Sequence, residues 1–259
     1  MTLEHLQTHF AKIGARVKFR GLDRVLRFRN KPPSDSFAID VRSDQRGEYF
    51  DISRGEDAPE FELLQAVPGD RHLLLYARDG QRFLCGHDER HWFVAAVESR
   101  VSTVRAAKQA LQPVQVRSGA MWFAPSVTEN RKNVVFKRQG EWFFVPEARE
   151  FCVHEHLILR DEPLRRNARS KPHICEELHR HGGRPVYEFR GEIWEKERFE
   201  EMRRNAPAFG RDARAWQADP DVYVRGRVRH ADHKTITLEG WHRVYINGEM
   251  STSSVTFLD

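Results

Sequence analysis

Residues 222–246 read VYVRGRVRHADHKTITLEGWHRVYI, and the way this stretch pairs with itself decides the fold. Val222, Val224 and Val228 point to one side of an extended chain, with Gly226 between them. Tyr223, Arg225, Arg227 and Arg229 point to the other. The next run sorts the same way, with Ile236 and Leu238 on one face and Thr235, Thr237 and Glu239 on the other. A slip of one residue would turn every side chain over. Matching apolar to apolar therefore sets Val228 opposite Ile236 and Arg227 opposite Thr237, across the loop Ala231-Asp232-His233. A second turn at Glu239-Gly240-Trp241 would bring Val244 opposite Ile236 and Arg243 opposite Thr237. The segment predicts a three-stranded antiparallel meander.

Working outward, similar alternation recurs near 17–20, 25–29, 37–41, 49–52, 60–67, 71–77 and 81–85. It returns at 121–124, 132–138, 140–145 and 153–159. Helical spacing of Leu3, Leu6, Phe10 and Ile13, with Thr2 as cap and Gly14 as stop, predicts a first helix. Further helices are expected at 88–98 behind Asp88, at 102–111 behind Ser102, at 171–181 before Gly182-Gly183, and at 192–205. The order is α+β with mainly antiparallel sheets and a few helices, not a strand–helix alternation. Gln112 to Gly119 reads as a linker, dividing an N-terminal α+β subdomain, 1–115, from a C-terminal one, 116–259.

The composition fits a folded chain: 259 residues, 39% hydrophobic and 11% aromatic, without low-complexity tracts. The longest apolar runs, such as Leu73 to Ala77, are too short to span a bilayer, so no membrane partner is expected. The N-terminus lacks the continuous apolar core of a signal peptide, and three cysteines are too few for a disulfide framework. A cytoplasmic location is the expectation. Sequence patterns for phosphate-cradling loops, dinucleotide folds, nucleophile elbows and HExxH zinc helices are missing.

A net charge of +5 permits an acidic partner. Residues 16–31 carry seven basic groups against Asp23 alone, whereas residues 151–259 carry 19 basic and 18 acidic groups. Any patch in the second half must therefore arise from sorting charges onto faces. The meander does this: Tyr223, Arg225, Arg227, Arg229, Thr235, Thr237, Arg243 and Tyr245 share one face. Guanidinium groups take phosphates bidentately, tyrosines stack on unpaired bases, and threonine hydroxyls bond phosphate or sugar oxygens. The expected partner is nucleic acid, RNA before single-stranded DNA. A solvated sheet face, or a protein partner in a larger assembly, would use the same residue types.

Thirteen histidines supply the candidate chemistry. His230 and His233 beside Lys234 match the needs of a metal-independent ribonuclease: one group takes the 2′-OH proton, one protonates the leaving oxygen, and a cation steadies the phosphorane. That reading needs no cofactor. Cys85, His87 and His91 form a second group able to hold zinc with an open position, as in a zinc-dependent hydrolase. His154 with His156, and His173 with Glu177, are smaller clusters. Whether the chain is an enzyme stays open at this level.

Overall fold

The computed structural model describes residues 3–21, 34–124, 128, 132–147, 150–166 and 170–248. The expected strand at 25–29, with its basic residues Arg27 and Arg29, and the Thr2 cap lie outside these residues. Among the described residues the protein is α+β and mostly β, with antiparallel pairing in every sheet. No helix among them is long and apolar enough to cross a membrane.

The N-terminal half stacks two sheets. Helix α1 (Leu3–Lys12) leads into β1 (Val17–Gly21), which pairs parallel with β3 (Gly47–Arg54); β2 (Phe37–Asp44) completes that sheet in the order β1-β3-β2. The second sheet is a plain antiparallel run of β4 (Phe61–Val67), β5 (His72–Ala77), β6 (Arg82–His87) and β7 (Trp92–Val97). One of its faces packs on α1 and the first sheet through Leu73, Leu75, Phe83 and Trp92. Its other face packs on α2 (Val104–Ala110) through Leu74, Leu84 and Ala95. Burial on both faces explains why β5 reads as an unbroken apolar run, His72-Leu-Leu-Leu-Tyr-Ala77, and not as an alternation.

The C-terminal half is built on a six-stranded antiparallel sheet ordered β10-β11-β15-β16-β9-β8. Its strands are β8 (Lys137–Gln139), β9 (Trp142–Pro146), β10 (Leu159–Leu164), β11 (His173–His181), β15 (Asp221–Arg229) and β16 (Ile236–Ile246). Phe144, Cys175, Leu178, Val224, Val228 and Ile236 form its core. Helix α3 (Val114–Ala120) packs Val116 with Phe136 and Phe143. A satellite sheet, β13-β12-β14 (β12 Arg184–Phe189, β13 Glu192–Glu195, β14 Arg214–Ala218), carries α4 (Lys196–Asn205). Phe199 of α4 stacks on Tyr187, with ring centroids 4.2 Å apart.

The first half of the closing segment pairs as expected, Val228 with Ile236 and Arg227 with Thr237. The second turn does not form. β16 runs unbroken from Ile236 to Ile246 and absorbs Glu239-Gly240-Trp241 as an irregularity, with Gly240 at φ +74°. The segment is thus a two-stranded hairpin, and the strand beside β16 is β9, which pairs Val244 with Phe144. A stronger partner explains the outcome: joining a six-stranded sheet buries Trp241 and His242, which a tight turn would have left in water.

Other segments also depart from expectation. Residues 88–91 make a turn, closed by Asp88 N–H donating to His91 O at 2.7 Å, and 92–97 is β7 rather than helix. The helix expected at 102–111 forms as α2, but its cap is Thr103, whose hydroxyl accepts from Ala106 N–H. The segment expected as a helix at 171–181 holds strand β11 (His173–His181), the linker segment 112–119 contains most of α3, and residues 121–124 form no strand.

Candidate metal centre

Three chain segments bring histidines to one end of the large sheet. His173 opens β11, His230 follows the last residue of β15, and His233 lies in the loop before β16. The pairing of Ile174 with Arg229 places His173 and His230 side by side. Their rings stack with centroids 4.2 Å apart, and His233 stacks on His230 at 4.6 Å. One ring nitrogen from each of the three lies within 4.8 Å of the others.

His173 is the deepest of the three, 1% exposed, and neither of its ring nitrogens has a hydrogen-bond partner. Burial, with the neighbouring His230 and His233, pushes its pKa down to about 3, so the ring is neutral. A buried polar group without a partner is costly. A neutral imidazole with a free lone pair is also what a transition metal binds. Three imidazoles can hold zinc and leave a fourth position open for water or substrate.

The backbone around the group is fixed from several sides. The Gln139 side-chain amide, 1% exposed, donates to Lys234 O at 2.8 Å and to Val228 O at 3.3 Å. Lys234 N–H donates to Glu89 in the β6–β7 turn at 3.2 Å. Lys171 Nζ bonds Asp232 at 2.6 Å. Gly140 has φ +58°, and a Cβ there would sit 2.9 Å from His233 Nε2 and 3.4 Å from His173 Nε2. Conformation and space both call for glycine at that position.

These histidines face a cavity of about 380 Å³ between the two halves. Arg138, Glu141 and Lys171 line it from the C-terminal half, and Glu48, His91 and Trp92 from the N-terminal half. Glu48 accepts from Trp92 N–H through one carboxylate oxygen, at 2.8 Å, and holds His91 Nδ1 at 2.6 Å with the other. That contact fixes the orientation of the His91 ring at the cavity wall. A second cavity, about 710 Å³, lies on the far side of Arg138 and shares Phe93 and Leu111 with the first.

The sequence candidates are distributed unevenly. His230 and His233 come together, with His173 as a third member. Lys234 is exposed and joins them through its backbone alone; the lysine that lines the cavity is Lys171. The structure does not gather Cys85, His87 and His91 into a ligand set. Cys85 is fully buried in the first core, where burial pushes its thiol up. His87 sits edge-on to Trp92, and His91 belongs to Glu48.

Each arginine of the sheet face has a carboxylate: Arg225 with Glu177 (2.5 Å), Arg227 with Glu176 (3.1 Å), Arg229 with Asp161, and Arg243 with Asp221. Tyr223 is buried against Phe151, and Tyr245 packs beside the Phe136–Phe143 cluster. Thr235 and Thr237 are exposed. His154 and His156 stack on each other at a single 3₁₀ turn, Glu155–Leu157.

Helical spacing across HICEELHRH groups His173 with Glu177 and Cys175, and not with His230 and His233. In the strand, Glu177 turns to Arg160 and Arg225 instead. The period-two spacing of His173, Cys175 and Glu177 was the available signal. Arg138 and Gln139 had no local signature. No protein-family model, no curated protein and no solved structure matches this chain.

Proposed function

We propose that the protein is a hydrolase of phosphodiester bonds in RNA or single-stranded DNA, with a zinc ion held by His173, His230 and His233. The observation that carries this reading is His173, a buried neutral imidazole with both nitrogens unpartnered, stacked in reach of two further imidazoles. Zinc held there would bring its water to neutral-pH nucleophilicity. The chain's own residues supply the rest. Glu48 orients His91 for proton exchange, while Lys171 and Arg138 put positive charge on the cavity wall for a phosphate group. The arginines of β15 lead up the strand to His230, which supports a polyanion as the substrate class. Because each guanidinium already holds a carboxylate, polymer binding would exchange one anion for another and depend strongly on salt.

The test combines metal analysis with cleavage of end-labelled RNA and single-stranded DNA. One equivalent of zinc, cleavage lost to a chelator and restored by zinc, and loss of both metal and cleavage in His173→Ala are the expected results. A protein that takes up no metal removes the zinc reading. Affinity for RNA should drop by orders of magnitude from about 50 to about 200 mM salt, and Arg227→Ala should flatten that dependence. Salt-independent binding would remove the polyanion.

One observation favours a second, metal-free reading. Asp232 N–H donates to His230 Nδ1 at 3.1 Å, which puts the proton of the neutral ring on Nε2 and makes His230 a proton donor. Cleavage that survives the chelator and is lost in His230→Ala would select it.

A further inference from the structure

Arg138 stands apart from the other arginines described above. Its Nε donates to Gly140 O at 2.7 Å and its guanidinium lies over the Phe143 ring, 5.3 Å from the centroid. Among the described residues no carboxylate reaches ion-pair distance of it; Glu89 and Glu141 act on it only from further away. Desolvation pushes its pKa below the ordinary guanidinium value. The part of its surface that stays open faces the two cavities, which both count it as wall. A desolvated guanidinium with its terminal nitrogens free of carboxylates is costly unless an anion arrives.

The second cavity says what the anion is attached to. Its 710 Å³ falls in the range of small-ligand sites. Phe93, Phe136, Phe143 and Leu111 give it apolar walls close to Arg138, and Gln109 and Gln112 bring amide groups. Its other ionic groups are already engaged: Lys108 is paired with Asp70, and His72 bonds the Asp70 carbonyl through Nδ1. Arg138, which among the described residues has no carboxylate at ion-pair distance, sits beside the aromatic wall. Aromatic faces stack nucleobases without regard to sequence, and glutamine amides can bond a base edge.

We infer that the second cavity is a nucleotide subsite: Arg138 takes a phosphate group and the wall of Phe93 and Leu111 takes the attached base. The inference rests on the proposed phosphodiester chemistry for its biological sense, since it places one nucleotide of the substrate with its phosphate turned toward the histidine cavity. The binding itself requires no zinc and no turnover.

Calorimetric titration of the whole protein with AMP, adenosine and inorganic phosphate tests it. AMP should bind more tightly than either fragment. Arg138→Gln should weaken AMP by about 10- to 100-fold, the effect of losing a charge-assisted hydrogen bond, and leave adenosine unchanged. Arg138→Lys, which keeps the charge and guards against a folding artefact, should fall between the two, since it loses the bidentate fork. Phe93→Ala should weaken AMP and not phosphate. Wild-type protein stripped of metal with a chelator should bind AMP as the untreated protein does, so a failure of the zinc reading leaves this result standing. AMP binding no tighter than adenosine, or equal AMP affinity in wild type and Arg138→Gln with both folded by circular dichroism, overturns the subsite.

Discussion

A buried imidazole ties folding to pH. His72 and His173 are both desolvated, with pKa values pushed down to about 4 and about 3 from an ordinary 6.5. As pH falls below 6.5 the unfolded chain takes up protons at these positions before the folded one does. Their stabilising contribution is therefore complete above about 6.5 and is lost as pH drops through the window toward 4 and 3. Urea unfolding of chelator-treated protein at pH 7, 5.5 and 4 should show declining midpoints, and His72→Gln should decline less. A variant with the full wild-type slope would refute the role of His72. Gly140 offers a second single-residue test. Gly140→Ala introduces strain at φ +58° and a methyl group 2.9 Å from His233 Nε2, so it should cost about 1–3 kcal/mol and lower zinc uptake. Unchanged metal content would mean that the histidines do not need this close approach.

Among the elements, β3 carries the most exposed risk. Asp51 is 1% exposed and lies between Arg20 of β1 and Arg42 of β2, with both Nε atoms 2.9 Å from its oxygens. These pairs cross all three strands of the sheet. Removing the acid takes the shared partner from Arg20 and Arg42, whose side chains are 36% and 39% exposed and of which Arg42 keeps Asp40 at 3.3 Å, so Asp51→Ala should lose about 1–3 kcal/mol by urea unfolding. A loss below about 1 kcal/mol would show that the charges reach water. At this scale the sequence was legible wherever one face of a strand is wet. The pairing of Val228 with Ile236 followed from alternation alone, since each slip would have exposed valine. It was illegible where neighbours overrode local preference. Phe93-Val94-Ala95-Ala96-Val97 is buried on both sides and shows no period. Glu176-Glu177-Leu178 favours a helix until β10 and β15 claim its backbone. Gly226 marks where β15 bulges against Glu176, a feature no alternation rule reports.

For the whole molecule, the two halves differ in what they contribute. The three clustered histidines all come from the C-terminal half, whereas His91 and Glu48 come from the other. Half of this arrangement was readable. His230 and His233 stood out through their density, but the residues that complete the site, His173, Arg138 and Glu48, are 57, 92 and 182 positions upstream of His230. Only the fold brings them near, and no pattern of spacing encodes that. Thiol chemistry gives a global check on the packing. Cys152 is exposed, while Cys85 and Cys175 are buried in separate cores, and Cys175 is pushed up to about 12. A thiol reagent should modify one cysteine quickly in the native protein and all three in denaturant. Fast modification of two or more would contradict the two cores.

The bond from Lys234 N–H to Glu89 has a wider meaning than local support. It fastens the hairpin that carries His230 and His233 to a turn of the opposite half, so this one loop acts as both floor and clasp. Anything that pries the halves apart must tug on the histidines, and anything that draws the histidines together must tighten the seam. In the language of amide exchange, Lys234 is the reporter of that bargain: zinc should slow its exchange, and a bulky ligand wedged into the seam should quicken it.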